Sequence, residues 1–243
     1  MNNRKTDKRL VVKKALELGA SLAGIAAVKD LKTSPSYAIY DRSPYYEDYT
    51  SVKWPDDAQS VLVLALKHPS AEPSLDWWSD AIPGRTPGNR ILMKISRKLC
   101  KWLKEALDIQ ATPLPYPVEK GGIFLKDAAV LAGLGIIGKN NLLITPEYGT
   151  RVRLRALFLD REIQSTRGAD FHPCDGCAKP CHQACPEDAF RSGQYDVTLC
   201  EPEMERNRKN LINVEGAVVG IDSSCRVEKF CRACEFACPV AGG

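Results

Sequence analysis

The sequence predicts an α/β domain over residues 1–170 followed by a small cysteine-built module over residues 171–243, and three observations carry that division. Val61 to Leu66 reads Val-Leu-Val-Leu-Ala-Leu, a continuous apolar run of strand length. From Pro87 or Asn89 onward, Ile91, Ile95, Leu99 and Trp102 share one helical face, while Lys94, Arg97, Lys98, Lys101 and Lys104 fall largely on the other. Nine of the ten cysteines lie between Cys174 and Cys238, whereas Cys100 stands alone in the lysine-rich helix and reads as an ordinary helix-flank thiol.

The remaining elements follow in chain order. Leu10, Val11, Lys14, Ala15 and Leu18 approximate helical spacing, and Gly19 suits the position just past a helix end. Ser21 to Val28 is a short apolar stretch. Tyr37, Tyr40, Tyr45, Tyr46 and Tyr49 then crowd a segment broken by Pro35, Pro44 and Pro55, which predicts irregular structure. Its rings pack on the surface or line a pocket over a flat cofactor, and Trp77 and Trp78 face the same choice. Residues 127–141 predict a helix of small residues that breaks into a turn rich in glycine, at Gly133, Gly135 and Gly138. The turn lacks the phosphate-loop register. Its formal Gly-x-Gly-x-x-Gly match follows a helix, where a dinucleotide site requires a strand. Arg151 to Leu159 alternates at its start and is apolar at its end, which gives a strand.

The cysteine spacing points to iron. Cys174, Cys177 and Cys181 form one run closed by Cys185-Pro186, and Cys231 and Cys234 form another closed by Cys238-Pro239. Three close thiolates wrap one side of a 4Fe-4S cube, and the cysteine before proline reaches the neighbouring cube, so two runs complete each other crosswise. On that logic Cys174, Cys177, Cys181 and Cys238 hold one cluster. Cys185, Cys231 and Cys234 hold the other with either Cys200 or Cys225. A structural zinc site needs only four ligands, fewer than this chain provides. A disulfide framework belongs to short secreted chains. This one has 243 residues, no apolar leader after Met1 and no apolar run long enough to span a bilayer, so a cytoplasmic protein with reduced thiols is expected. A net charge of +4, evenly spread, gives no footprint for nucleic acid. His68, His172 and His182 are too few for a histidine-built site, and the last two flank the cysteines, where packing or hydrogen bonding is expected.

From Ala132-Gly-Leu-Gly-Ile-Ile-Gly-Lys-Asn-Asn through Thr150, followed by the strand, Asp160 and the two cysteine runs, the chain resembles the epoxyqueuosine reductase family, which is related through its core to reductive dehalogenases. The resemblance implies a flavin-nitroreductase-like fold that binds cobalamin and receives electrons from two 4Fe-4S clusters, themselves reduced by a donor such as ferredoxin or flavodoxin. It places Cys200 on the isolated ligand position and leaves Cys225 surplus. It sets Glu119 against the family's catalytic aspartate, as proton donor with one extra methylene. By itself Glu119-Lys120 reads as a surface pair. Gly135, Gly138, Lys139, Asn140, Gly149 and Thr150 become the expected cofactor contacts, because a glycine turn and short polar side chains let backbone N–H groups approach amide or phosphate groups. The sequence ends directly after the last cysteine run, without the family's tRNA-gripping helical repeats, so a small-molecule substrate is expected and tRNA is doubtful. Two competing readings remain at this point: a non-catalytic carrier of electrons or corrinoid for a partner, and a ferredoxin module fused to a flavin-binding domain.

Overall fold

The apolar run at Val61–Leu66 is the middle of β2 (Ser60–Lys67), buried at every position except its last. In the computed structural model, which describes residues 8–40, 54–168, 170–214 and 224–240 apart from the side chains of residues 38–40 and 119, β2 belongs to a four-stranded sheet. Its other members are β1 (Leu22–Ala27), β3 (Ala111–Pro113) and β6 (Val152–Leu159), in the order β1, β2, β6, β3. β1 pairs antiparallel with β2, from Leu22 opposite Ala65 to Ala27 opposite Ser60. The bonds from Gln59 N to Leu159 O and from His68 N to Arg151 O set β2 antiparallel to β6 as well. β3 pairs antiparallel with β6, Ala111 opposite Leu159. The unbroken apolar pattern of β2 therefore reports cover on both faces, and parallel neighbours are not needed to explain it.

The chain divides into two compact units that interleave along the sequence: Met1–Leu66 with Leu92–Gly135 and Leu154–Asp170, and Lys67–Ile91 with Ile136–Arg153 and Phe171–Gly243. In the first unit α1 (Lys8–Glu17) buries Val11 and Ala15 and closes in a Schellman motif, with Gly19 N on Leu16 O and Ala20 N on Ala15 O. The apolar stretch after it is β1, followed by the short α2 (Val28–Leu31). The tyrosine-rich segment departs from expectation at its start. Pro35 begins a helix, α3 (Pro35–Tyr40), because proline's fixed φ and missing N–H are harmless in a first turn. Tyr37 is buried there, its ring 4.7 Å from Phe124 and 5.4 Å from Trp54, and its hydroxyl accepts from Phe124 N. Tyr45, Tyr46 and Tyr49 lie outside the described residues.

The long helix is α4 (Pro87–Leu107), with Thr86 Oγ1 accepting from Asn89 N at its start. Its buried face is centred on Leu92, Ile95, Ser96, Leu99 and Leu103, while Ile91 and Trp102 sit at the margins. Each fully buried leucine contributes about 1.5–3 kcal/mol by removal from water. The helix of small residues is α5 (Leu125–Leu131). Its buried Asp127 accepts from Ser34 Oγ at 2.8 Å, Ser36 N at 3.0 Å and Ser36 Oγ at 2.8 Å.

In the second unit the glycine turn becomes a hairpin of β4 (Ile136–Ile137) and β5 (Leu143–Ile144). Short helices α6 (Pro180–Gln183) and α8 (Ala233–Phe236) carry cysteines, as does α7 (Val197–Lys209), whose N-cap Asp196 accepts from Thr198 N. β7 (Ile212–Val214) pairs with β8 (Cys225–Val227). Trp77 and Trp78 pack locally: Trp78 bridges to Glu228, and the Lys229 ammonium lies 4.3 Å from the Trp77 ring centroid.

Candidate metal centre

Tight turns present the cysteines of the first run. Cys177 N donates to Cys174 O across a turn containing Gly176, Lys179 takes a left-handed φ of 56°, and α6 then buries Cys181. In the second run Cys231 N donates to Asn207 Oδ1 at 2.5 Å, and α8 carries Cys234 before the chain turns at Cys238 and Pro239.

Cys174, Cys177, Cys181 and Cys238 line one cavity, together with Lys139, Asn140, Ile144 and Pro239. The cavity has about 20 Å³ of room and is open in part to solvent. Burial raises the Cys181 and Cys238 thiols, and mutual repulsion adds to it, Cys181 facing Cys238 and Cys177 and Cys238 facing Cys174 and Cys177. A second group forms around Cys234, which burial and the neighbouring Cys231, Cys185 and Cys200 push up to about 12. Cys200 is likewise raised by burial, opposed by the Tyr195 hydroxyl and reinforced by Cys185 and Cys231. Each run thus sends its last cysteine into the other run's group. Cys225 stands opposite Val214 in the β7–β8 ladder, does not line the first cavity, and is not among the thiols that act most on Cys234 or Cys200. Backbone donors reach two of the sulfurs, Lys179 N to Cys177 Sγ at 3.4 Å and Ala189 N to Cys185 Sγ at 3.3 Å. All ten thiols are free of disulfides, and four soft thiolates per group suit iron–sulfur or zinc chemistry. Among the described residues no cluster of three or more His, Cys, Asp or Glu side chains converges closely enough for a bare ion.

Several of the residues expected to touch a second cofactor make contacts within the protein. Gly138 is glycine because a Cβ there would meet the Ile144 side chain at 2.3 Å. Lys139 and Asn140 line the cysteine cavity. Asn140 Nδ2 donates to Cys234 O at 3.4 Å, Thr150 Oγ1 donates to Glu235 O at 2.9 Å, and His182 Nε2 lies 3.0 Å from Lys139 O. Two polar side chains of the glycine segment therefore hold the backbone of the second cysteine run. His182 also stacks on Phe190, centroids 4.4 Å apart. Gly149, buried, takes φ 54° beside Thr150. Gly135 ends the middle segment of the first unit. Glu119 lies in a 3₁₀ turn, Val118–Lys120, with its side chain outside the described residues.

Sequence reasoning missed a buried ion network in the same unit. Asp76 Oδ1 lies 2.6 Å from His68 Nδ1 and 2.7 Å from Arg153 Nε, and its Oδ2 meets Arg232. Arg232 also pairs with Glu235 at 2.5 Å, and Arg153 with Glu235 at 3.2 Å. Two carboxylates balance two guanidinium groups. The available signal was Arg232 and Glu235 inside Cys231-Arg-Ala-Cys234-Glu, charges in a module too small to bury them unpaired.

No protein-family profile matches the chain. Its fold is that of the epoxyqueuosine reductases and reductive dehalogenases. An epoxyqueuosine reductase structure aligns over 97 % of this chain and 66 % of its own at a TM-score of 0.66 and 20 % identity. The catabolic reductive dehalogenase NpRdhA aligns over 98 % of this chain and 32 % of its own, at 0.61 and 17 %. The chain is also homologous in sequence to both families. It is 35 % identical over 160 residues to the epoxyqueuosine reductase of Synechocystis, covering 62 % of this chain and 50 % of that protein. It is 30 % identical over 164 residues to the tetrachloroethene reductive dehalogenase of Desulfitobacterium hafniense, covering 66 % of this chain and 28 % of that protein. The chain thus spans half or less of these curated relatives. One related structure holds a tRNA stem loop, and another is described in terms of B12-dependent dehalogenation. Among the described residues no helix is long and apolar enough to cross a membrane.

Proposed function

We propose that the protein is an iron–sulfur oxidoreductase that carries two 4Fe-4S clusters and a cobalamin and reduces a small molecule. The observation that carries this reading is the lining of one cavity by three cysteines of the first run and the last cysteine of the second. When bound, the clusters supply one-electron carriers and the corrinoid a low-potential cobalt centre, chemistry that no side chain provides.

The chain's own residues bind and orient. Cys174, Cys177, Cys181 and Cys238 would hold the first cluster, and Cys185, Cys200, Cys231 and Cys234 the second. The N–H groups of Lys179 and Ala189 donate to ligand sulfurs, an interaction that helps set potential. Asn140 and Thr150 hold α8 by hydrogen bonds to the Cys234 and Glu235 carbonyls, and the Asp76–Arg232–Glu235 network holds the same segment through its side chains. Cobalamin is proposed on the relatives, with Gly135, Gly138, Lys139 and Gly149 as the contacts not committed by a side-chain hydrogen bond. Glu119 is proposed as the acid that delivers a proton to the substrate, which requires burial to raise its pKa toward working pH. The donor is an external low-potential ferredoxin or flavodoxin, and the setting is the cytoplasm.

Anaerobically purified protein reconstituted with iron, sulfide and cobalamin tests the reading through its absorption and EPR spectra. Two cluster signals and retained corrinoid bands are expected. Absence of corrinoid bands sinks the cobalamin part, and flavin bands in their place favour the flavin reading. Glu119→Gln separates enzyme from carrier: an enzyme loses turnover with both cofactors retained, whereas a pure electron carrier is indifferent.

A further inference from the structure

In the first unit Arg155 stands on β6 with 8 % of its surface exposed. Among the described residues no carboxylate, carbonyl or hydroxyl accepts a hydrogen bond from its guanidinium, and the titratable group that acts on it is the neutral Tyr116 phenol. Arg153, two positions earlier, has its charge met by Asp76 and Glu235, whereas among the described residues Arg155 shows no counter-ion. None of its nitrogens belongs to the sealed, unsatisfied atoms, so the head still reaches an opening. Arginine cannot discharge itself inside a protein, and a guanidinium largely covered yet open to solvent at its head has its charge available to an anion at that opening.

The surroundings say where that opening sits. Pro113 lies opposite Leu157, and Leu114 N donates to Ala156 O at 2.9 Å. One further step of that register sets Pro115 beside Arg155, with Tyr116 next, 48 % exposed. The chain then turns through Val118–Lys120, where Gly122 N closes on Pro117 O. The unpaired fork and a phenol hydroxyl thus stand where the segment bearing Glu119 begins.

We propose that Arg155, with the Tyr116 hydroxyl beside it, is the receptor for an oxyanion, a carboxylate or phosphate group, carried by a small molecule. The planar fork donates two parallel hydrogen bonds to two oxygens of such a group, which a lysine cannot reproduce. The anion belongs to an acidic substrate or to the phosphodiester of the corrinoid's nucleotide loop. Either source rests on the reading above, but the anion site does not.

The full chain with its clusters, as wild type, Arg155→Met and Arg155→Lys, is titrated with benzoate and inorganic phosphate by calorimetry, and with cobalamin and cobinamide by absorption. Wild type is expected to bind an anion probe or cobalamin at least tenfold more tightly than Arg155→Met, with Arg155→Lys weakened as well. Loss confined to cobalamin, with cobinamide unchanged because it lacks the phosphodiester, assigns the anion to the corrinoid. Loss confined to benzoate or phosphate assigns it to the substrate. Wild type that takes up no corrinoid but binds benzoate through Arg155 removes the cobalamin reading and leaves the anion site standing. Equal binding of all four ligands by wild type and Arg155→Met overturns the proposal. Should the Met variant not fold, wild type that binds neither anion, with Arg155→Lys binding cobalamin as wild type does, overturns it too.

Discussion

The two units solve burial in opposite ways. Of the twelve largest fully buried side chains among the described residues, eleven, from Ile25 to Leu159, belong to the first unit, and Ile144 alone to the second. The first unit is held by leucine and isoleucine packed on both sides of a sheet, which lose water on folding whether or not a ligand is present. The second buries smaller apolar contacts, Leu75, Ile82, Leu143, Phe190 and Val227 among them, beside eight candidate ligand thiols and a buried set of charges. Where thiols converge on a metal site, the free energy of metal binding adds to the free energy of folding. If the proposed clusters bind, the comparison makes their loading part of folding for the second unit and leaves the first unit's folding independent of it.

The sharpest break of that comparison is removal of iron. Anaerobic treatment with oxidant and chelator is expected to abolish hydrogen-exchange protection at α6, α7 and α8 while Leu22–Ala27 and the α4 segment from Leu92 onward stay protected. Cys181→Ser and Cys238→Ser are each expected to lose the same cluster, about four of roughly eight irons per chain. Cys225→Ser is expected to lose none. Equal collapse of both units without iron, or iron loss in Cys225→Ser, refutes the division or the ligand set.

A smaller effect contrasts two buried carboxylates. Asp127 in the first unit is met by neutral donors, two serine hydroxyls and one backbone N–H. Asp76 in the second is met by His68 and two arginines. Asp76→Asn leaves Arg153 and Arg232 facing Glu235 alone. The expected cost is about 3–5 kcal/mol, read as lowered iron content and lost protection in the second unit. Asp127→Asn removes hydrogen bonds without stranding a charge, for about 1–3 kcal/mol, read in chemical denaturation with iron content unchanged. A loss of iron in Asp127→Asn as large as in Asp76→Asn would erase the distinction.

What the sequence disclosed divides along the same line. Apolar periodicity marked β2, α4 and β6, because burial there is continuous enough to show in a window of ten residues. It missed Leu92 and Leu103 on α4, since lysines and Trp102 around them blur the face. Nothing marked α7: it buries no residue, carries Pro202, and is held by ion pairs such as Glu203 with Arg206. The cysteine runs were legible because metal ligation fixes spacing. The ion network was not, because Asp76, Arg153 and Glu235 are distant in sequence and nothing local sets their pairing. Asn140 and Thr150 hydrogen-bond the backbone of the second cysteine run, a contact that only the fold could reveal.

The gentlest probe is pH. His68 is wholly buried against Asp76, and burial above all, then the charges of Arg153 and Arg232, hold its pKa below 6.5 despite the carboxylate. With Nδ1–H donating to Asp76, the neutral ring has its Nε2 packed toward Gly88, where a Cβ would lie 2.2 Å away. Burial alone would raise Asp76, but the His68 hydrogen bond and the two arginines outweigh it and hold that carboxyl below 3.8. Both folded pKa values therefore lie below the unfolded ones, so the unfolded chain binds protons more readily. The stabilisation is complete above about pH 6.5 and falls as pH drops, first through His68 and then, below about pH 4, through Asp76. Between pH 7 and 5.5 the opening free energy of the second unit should decline, by at most about 1.4 kcal/mol per pH unit for a single group. Leu22–Ala27 in the first unit serves as the internal reference. His68→Asn keeps a donor for Asp76 but does not titrate, so it should flatten the slope even if it lowers the plateau. Hydrogen exchange across the second unit at the two pH values reads both quantities, and an unchanged slope in His68→Asn would move the acid sensitivity to another group.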